Sequence, residues 1–465
     1  MEQHAVATGA WVVHNGAEIP VHARYGSKFS LWVSFDEDTT VTDGACFEAL
    51  RLEIDGDVHE LGPCRLMWEP NIEGYAGRLV LTDDIQDFES LFFGTEYGSR
   101  PVTLDSAFVN VKLLLNHKKS IRDEFKDFVA DLSYDLGVFQ NAFDTLEAEY
   151  EDEPAIVQEA ILKVITGTEG ARFYDYLTES HLALHELVCD LGKTEAQRHG
   201  FYFRKQLWNT LLQVPIMART NLKPRGYAGD SEMMRMLYAQ KYEGDSTFAK
   251  ILHKHAVDRP AAAAVRNRRK TIADWFMDVA GDRKSGPKRM LSVACGPAQE
   301  LEEILRNPGV PDRLSVTLFD QDQYALLEAA RLLDGLERAI GRRVSVEYLR
   351  ESVRTMLVAP RLRDRWGNFH LIYSMGLFDY LTPPVAKAVL NRLYELLNPG
   401  GQMMIGNFHV ANPNRHAMEY WLDWVIYHRT EDEFLALASD LPEESFSIHT
   451  DETGIQMFLS ITKTR

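Results

Sequence analysis

Apolar and polar residues alternate in short runs between positions 20 and 100: Phe29-Ser-Leu-Trp-Val-Ser-Phe35, Arg51-Leu-Glu-Ile54, Cys64-Arg-Leu-Met-Trp68 and Gly77-Arg-Leu-Val-Leu81. A period of two buries one face of a strand, and the pairs Asp43-Gly44, Asp55-Gly56 and Glu73-Gly74 between the runs are turn signals. Residues 1–102 are therefore expected to form a small antiparallel β-barrel. Beyond position 103 the apolar spacing lengthens to three and four. Ser106–Asn116, Ile121–Asp135, Ala155–Ile165, Thr178–Leu191 and Thr194–Leu212 carry stripes of helical period, which predicts an all-α segment over 103–285.

From Met290 the two patterns interleave. Strands are predicted over Met290–Ala294, Leu314–Phe319, Arg343–Leu349, His370–Met375 and Gln402–Phe408, with helices over Tyr324–Ile340 and Pro384–Leu397 between them and a closing hairpin, Phe446–Thr450 with Ile455–Ile461. Alternation of this kind implies an α/β, Rossmann-like domain with a parallel sheet over 286–465. The first strand runs into the turn Cys295-Gly-Pro-Ala298, and the second ends on Asp320. A nucleoside-bearing cofactor needs a glycine where the backbone approaches it and a carboxylate one strand over for the ribose hydroxyls. Gly296 and Asp320 have that spacing. The turn has one glycine where a dinucleotide fingerprint has three, and Pro297 lacks an N–H for a pyrophosphate. The turn suits a cofactor without phosphate, such as S-adenosylmethionine (SAM).

At 465 residues the chain is long enough for two or three domains. Its net charge of −19 is concentrated at the start, where residues 1–100 hold 18 Asp and Glu against 6 Lys and Arg. Such a surface repels phosphodiester backbones, so no nucleic-acid partner is expected. The four cysteines, Cys46, Cys64, Cys189 and Cys295, form no CxxC pair, which argues against a metal site or a disulfide framework. No basic-then-apolar leader opens the chain and no apolar run reaches the ~18 residues of a membrane span; a cytoplasmic protein is expected.

Two further segments stand out. Thr220-Asn-Leu-Lys-Pro-Arg-Gly-Tyr-Ala-Gly-Asp230 packs two glycines, a proline and several charges between apolar helices, a composition that suits a functional loop, with Asp230 also able to cap the following helix. The run Arg266-Asn-Arg-Arg-Lys270 reads as a solvated face and salt-bridge surface.

The N-terminal pattern resembles PilZ-type domains, six-stranded modules many of which bind cyclic di-GMP. That ligand needs an arginine pair and an Asp/Asn-x-Ser-x-x-Gly strand; here only Arg24 and Val41-Thr-Asp-Gly-Ala45 come near, so cyclic di-GMP binding is not expected and a protein-contact module is. The ordered elements over 286–465 resemble the class I SAM-dependent methyltransferase fold. More narrowly, Lys223-Pro-Arg-Gly-Tyr-Ala-Gly-Asp230, Ser292-Val-Ala-Cys-Gly-Pro-Ala298, Tyr373-Ser-Met-Gly-Leu-Phe-Asp-Tyr-Leu381 and Trp424-x-x-Tyr-His-Arg-Thr430 resemble the extracellular factor (3-hydroxypalmitic acid methyl ester) biosynthesis methyltransferases. That resemblance implies methyl transfer to the carboxylate of a 3-hydroxy fatty acid, giving a methyl-ester signal.

By position, the resemblance implies that Ala294, Cys295, Gly296, Pro297 and Glu300 face the methionine moiety and that Asp320 and Gln321 hold the adenosine. Ser352 and Val353 would border the adenine, and Ser374, Met375 and Gly376 would line the floor beneath the sulfonium. Arg225, Tyr227, His409, Tyr427 and Arg429 are candidate donors to the substrate, and Phe378, Tyr380, Trp421 and Trp424 candidate walls of an acyl slot. A carboxylate acceptor needs no general base. Two alternatives stand beside this one: methylation of another small metabolite, with His409 or Asp379 as base, and a non-catalytic SAM- or nucleotide-binding regulator.

Overall fold

The computed structural model describes residues 9–26, 29–36, 38–54, 57–68, 76–83, 88, 115–116, 118–280, 286–308, 310, 312–442 and 445–464. The chain divides into two compact units, meeting in sequence between Ser120 and Ile121. Residues 106–114 of the helix expected over Ser106–Asn116, and the expected boundary at 102/103, lie outside the described residues.

In the first unit the strands are β1 (Gly9–His14), β2 (Ala17–Pro20), β3 (His22–Gly26), β4 (Leu31–Ser34), β5 (Cys46–Phe47), β6 (Ala49–Ile54), β7 (Asp57–Glu60), β8 (Cys64–Trp68) and β9 (Ala76–Leu81). They form two antiparallel sheets, β2-β1-β6-β7 and β3-β4-β9-β8-β5. Val12, Leu50 and Leu52 of one sheet share a fully buried core with Leu31, Val33, Leu66 and Leu79 of the other. The expected barrel is absent: among the described residues neither sheet closes on itself. Among the described residues no edge strand of one sheet pairs with the other, and the two are joined at corners by Val21 N–H to Ala10 O and Glu48 N–H to Val13 O. Alternation tells which face of a strand is buried but not which strand lies beside it, so a barrel and a pair of packed sheets share one pattern. Asn15 and Gly16, both at positive φ, make the tight β1–β2 turn. Asp43 accepts the Trp68 amide at 2.9 Å, a structural use of the segment compared above with a ligand strand. The side chain of Arg24 lies outside the described residues.

The second unit opens with nine helices among the described residues: α1 (Asp123–Ala148), α2 (Ala155–Gly167), α3 (Glu169–Val188), α4 (Lys193–Gln206), α5 (Trp208–Gln213), α6 (Pro215–Leu222), α7 (Ser231–Ala239), α8 (Thr247–Asp258) and α9 (Pro260–Ala280). Then follow β10 (Lys288–Val293), α10 (Glu300–Leu305), β11 (Leu314–Asp320), α11 (Gln323–Ile340), β12 (Ser345–Arg350), α12 (Val353–Val358), α13 (Leu362–Trp366), β13 (Phe369–Ser374), α14 (Pro383–Glu395), β14 (Leu397–Phe408), α15 (Arg415–Trp421), α16 (Glu431–Ala436), β15 (Ser445–Thr450) and β16 (Gln456–Thr462). The sheet order is β12-β11-β10-β13-β14-β16-β15, with β10 to β14 parallel and the last hairpin antiparallel.

Period-two alternation sends side chains to both faces of this sheet. Met290, Leu318 and Leu371 pack under α9, α10 and α11, while Leu291, Phe319 and Ile372 pack under α12 and α14. The chain leaves β10 toward β11 on one side and later returns through β13 on the other, so the carboxyl end of β10 is a topological switch point, where open α/β sheets bind ligands. The helices from α1 to α9 are not a detached layer. One core joins Phe125, Phe173 and Phe203 to Phe408, Tyr420, Trp421 and Trp424. Among the described residues no helix is long and apolar enough to cross a membrane.

Candidate functional site

A cavity of about 370 Å³ opens at that switch point, within the ~300–1,000 Å³ usual for small-molecule sites. Of the residues expected at a cofactor, all but Ser352 and Ser374 line it.

The turn after β10 is unusual in its backbone. Ala294, Gly296 and Ala298 have φ of 52°, 54° and 49°, so every second residue is left-handed. The two alanines adopt this at a steric cost, roughly 1–2 kcal/mol each. The turn is held from β11: Cys295 N–H donates to Phe319 O at 3.1 Å, and Gly296 N–H to Asp320 Oδ2 at 2.9 Å. Asp320 Oδ1 takes the Asp322 amide, also at 2.9 Å. Burial pushes the Asp320 carboxyl up, opposed by those backbone amides. A Cβ at Gly296 would meet no atom within 4 Å, so the space beside it is open. Burial also pushes the Cys295 thiol well up, which leaves it protonated and no nucleophile.

Around this pair stand three carboxylates. Glu300, at the start of α10, accepts the Tyr373 hydroxyl at 2.6 Å, and burial raises its pKa. Glu351, just past β12, pairs one oxygen with Arg365 Nη2 at 2.6 Å, and among the described residues its buried Oε2 has no partner. Asp379, in a short 3-10 turn over Phe378–Tyr380, is 4% exposed and accepts the Phe408 amide at 2.7 Å. Burial raises its pKa to about 6 against the pull of Arg268 and Arg429.

The segment Lys223–Asp230 contributes Tyr227 and Gly229 to the cavity lining. It is fixed at both ends. Lys223 is a left-handed cap of α6 whose Nζ meets Asp423 at 2.5 Å. Asp230, fully buried, caps α7 through the Met233 amide at 2.9 Å and forms a two-pronged pair with Arg219 at 2.6–2.9 Å. In the middle, Arg225 reaches α11, to Asp322 at 3.0 Å and Glu328 at 3.2 Å. Gly229 touches the far wall: a Cβ there would overlap the Tyr380 hydroxyl, which Trp424 Nε1 holds at 2.7 Å.

Several expected residues make contacts within the frame. Ser352 caps α12 through the Thr355 amide, and the buried Ser374 hydroxyl donates to Val293 O at 2.9 Å. Arg225 does not line the cavity, and its guanidinium is taken by carboxylates of the chain itself. Nor do His409, Tyr427 and Arg429 line it. Arg429 donates to Phe378 O at 2.8 Å, Leu381 O at 2.6 Å and Asn407 Oδ1, which leaves a buried guanidinium tying the Asp379 turn to the end of β14. The Tyr427 amide donates to Asp379 O at 2.7 Å while its ring is partly exposed, and His409 Nδ1 accepts the Ala411 amide. Of the apolar candidates, Tyr380 and Trp424 wall the cavity, Phe378 is in the sheet core and Trp421 lies deeper among the helices.

The basic run 266–270 is divided. Arg269 and Lys270 form the expected ion pairs, with Glu303 and Asp274. Arg266 turns inward to Leu237 O and Val257 O. Arg268, 6% exposed, lines the cavity and donates Nη1 to Met375 O at 2.6 Å; among the described residues the partner of Nη2 is the Met234 sulfur, at 3.8 Å. The signal was present in the sequence: Arg268 shares a stripe with Val265, Ile272 and Trp275, the buried face of α9. For Glu351, at a strand exit, no sequence periodicity applies.

No protein-family model and no curated protein matches the chain. Solved structures similar to it include methyltransferases. A crystal structure described as a possible exported protein from Bordetella parapertussis aligns over 64% of this chain and 97% of its own, at 15% identity and a TM-score of 0.41. Magnesium protoporphyrin IX methyltransferase (ChlM) from Synechocystis PCC 6803 with bound S-adenosylhomocysteine aligns over 50% and 95%, at 10% identity and a TM-score of 0.36. The N-methyltransferase NodS from Bradyrhizobium japonicum WM9, in complex with S-adenosyl-L-homocysteine, aligns over 43% and 88%, at 13% identity and a TM-score of 0.31.

Proposed function

We propose that residues 121–465 form a SAM-dependent methyltransferase acting on a small molecule with an apolar body and a carboxylate head. The observation that carries the reading is the Gly296–Asp320 pair at the switch point, a close-approach glycine beside a buried carboxylate with lone pairs left for a ribose diol. The neighbouring groups suit the rest of the cofactor. Glu351 Oε2, a buried acceptor without a partner, matches the exocyclic amine of adenine, with Gln321 and Val353 beside the ring. The Glu300 oxygen not used by Tyr373 matches the methionine ammonium. Pro297 keeps the turn from presenting the run of amides that a phosphate needs.

When bound, SAM supplies a sulfonium methyl group open to in-line displacement. The chain's task is to align the acceptor oxygen and exclude water without protonating it. Tyr227, Gly229, Tyr380 and Trp424 close the cavity around that end. Arg268, with Nη2 short of an oxygen partner, orients the acceptor carboxylate next to Met375. Arg225 acts through Asp322 and Glu328 as a positioning residue for the loop. The motifs over 223–430 that resemble the extracellular factor enzymes narrow the acceptor to a 3-hydroxy fatty acid. The test is mass spectrometry of products formed from methyl-labelled SAM and a bacterial lipid extract. A labelled fatty acid methyl ester is expected, and Arg268→Leu should retain S-adenosylhomocysteine binding while losing about a hundredfold in turnover. Loss of cofactor binding in a folded Arg268→Leu would reassign that arginine to the methionine carboxylate.

Asp379 favours a second reading. A cavity carboxylate with a pKa of about 6 is suited to deprotonate a hydroxyl acceptor. In that case kcat rises with pH through about 6 and Asp379→Asn abolishes the rise; with a carboxylate acceptor kcat does not rise there.

A further inference from the structure

A second, smaller cavity of about 40 Å³ lies inside the helical layer, between α3, α8, the start of α9 and α15. Four buried nitrogens of its lining have no hydrogen-bond partner among the described residues: His181 Nδ1, His255 Nε2, Arg259 Nε and Trp421 Nε1. His255 is 4% exposed and Trp421 2%. The rings are neighbours, with centroids 5.3 Å apart for His181 and His255 and 5.5 Å for His181 and Trp421. Buried polar atoms are nearly always paired, so four orphans around one hollow indicate a missing partner rather than four separate defects.

The chemistry of the four restricts that partner. Indole and guanidinium nitrogens can only donate. Burial holds both imidazoles neutral, His255 down to about 3 and His181 well below its ordinary value, so each carries a single N–H, which faces the hollow in the tautomer that protonates the unpartnered nitrogen. Arg259 donates Nη1 to Thr178 Oγ1 at 3.2 Å, and among the described residues it has no ion pair. Arg259 is half-buried, and its buried Nε faces inward without a counter-charge, which costs more than a polar group lacking a hydrogen bond. The residue also sits at the N-terminus of the 21-residue helix α9, whose first-turn residues Ala261 and Ala262 line the same space. The partial positive charge of that helix end adds to the guanidinium. Among the described residues the lining holds no carboxylate or thiol, which disfavours a metal cation. The volume suits an ion of one or a few atoms, since a single water needs roughly 10–15 Å³ measured in the same way.

We propose that this cavity is a binding site for a small monovalent anion of halide size, held by Arg259 and Trp421 with N–H groups from His181 and His255. The inference stands apart from the methyltransferase reading, because it rests on a different set of residues. Trp424 lines both cavities, so the anion would brace the indole that walls the larger one.

The test is a crystal of the full chain soaked in sodium bromide and measured at the bromine edge. An anomalous peak within hydrogen-bond reach of Arg259 Nε and Trp421 Nε1 is expected. A cavity containing only water, with no anomalous signal, overturns the proposal. In solution, replacing gluconate with chloride at constant ionic strength should raise Tm by roughly 3 °C or more. Arg259→Gln and Trp421→Phe should each lose that shift, and if Arg259→Gln does not fold, Trp421→Phe decides. A chloride shift of unchanged size in folded variants would also overturn the assignment.

Discussion

Gly296 donates its amide to Asp320 at 2.9 Å, across the carboxyl ends of the first two parallel strands of the C-terminal sheet. The bond holds open a turn in which Ala294 and Ala298 are also left-handed, and it occupies only part of the carboxylate's accepting capacity. One residue thus both shapes the glycine turn and faces the cavity, so its loss is expected to reach the cofactor twice.

Asp379 makes stability depend on pH. An ordinary aspartate titrates near 3.9, and burial holds this one at about 6. Because the folded state grips the proton more tightly than the unfolded state, the resulting stability is fully present below pH ~4 and is lost as pH rises through about 6. The loss at pH 8 is on the order of 2–3 kcal/mol. Asp379→Asn keeps an acceptor for the Phe408 amide and carries no charge. Denaturant titration should find it more stable than the wild type at pH 8, with the advantage gone by pH 4; a variant less stable at both values contradicts the assignment.

Gly229→Ala places a methyl group on the Tyr380 hydroxyl, which cannot retreat without breaking its bond from Trp424. Displacing that wall should lower kcat/KM by about tenfold or more, while Tm changes little because the loop ends remain tied by Lys223 and Asp230. Equal loss of stability and activity would mean that the contact is structural.

Glu351→Ala removes the unpaired buried acceptor proposed for adenine. Affinity for S-adenosylhomocysteine should fall about tenfold, the equivalent of one buried hydrogen bond. Arg365→Met, which frees the other Glu351 oxygen, should bind normally. Matching losses in both variants would assign the effect to the ion pair.

The Gly296 to Asp320 relationship was legible in the sequence because strand, turn and strand end are local patterns. The loop Lys223–Asp230 was legible for the same reason: its glycines and its capping Asp230 stand out by composition. What joins distant segments was harder to see. Arg429, Tyr427 and His409 follow the fifth parallel strand as expected, yet Arg429 points to backbone carbonyls of the Asp379 turn, a partner some 50 residues away. Arg268 was misread because a run of basic residues looks solvated until each is assigned to a helix face. In the first unit, β5 and β6 are separated by a single residue but belong to different sheets, a corner that alternation alone does not reveal.

Calorimetry with S-adenosylhomocysteine reports whether the crevice at Gly296 and Asp320 binds an adenosyl cofactor. The wild type should bind one equivalent per chain, and a folded Asp320→Ala should bind ten- to a hundredfold more weakly, the ~1.5–3 kcal/mol of a charged hydrogen bond. Absence of binding by the wild type, or unchanged affinity in the variant, would mean that this crevice is not a cofactor site.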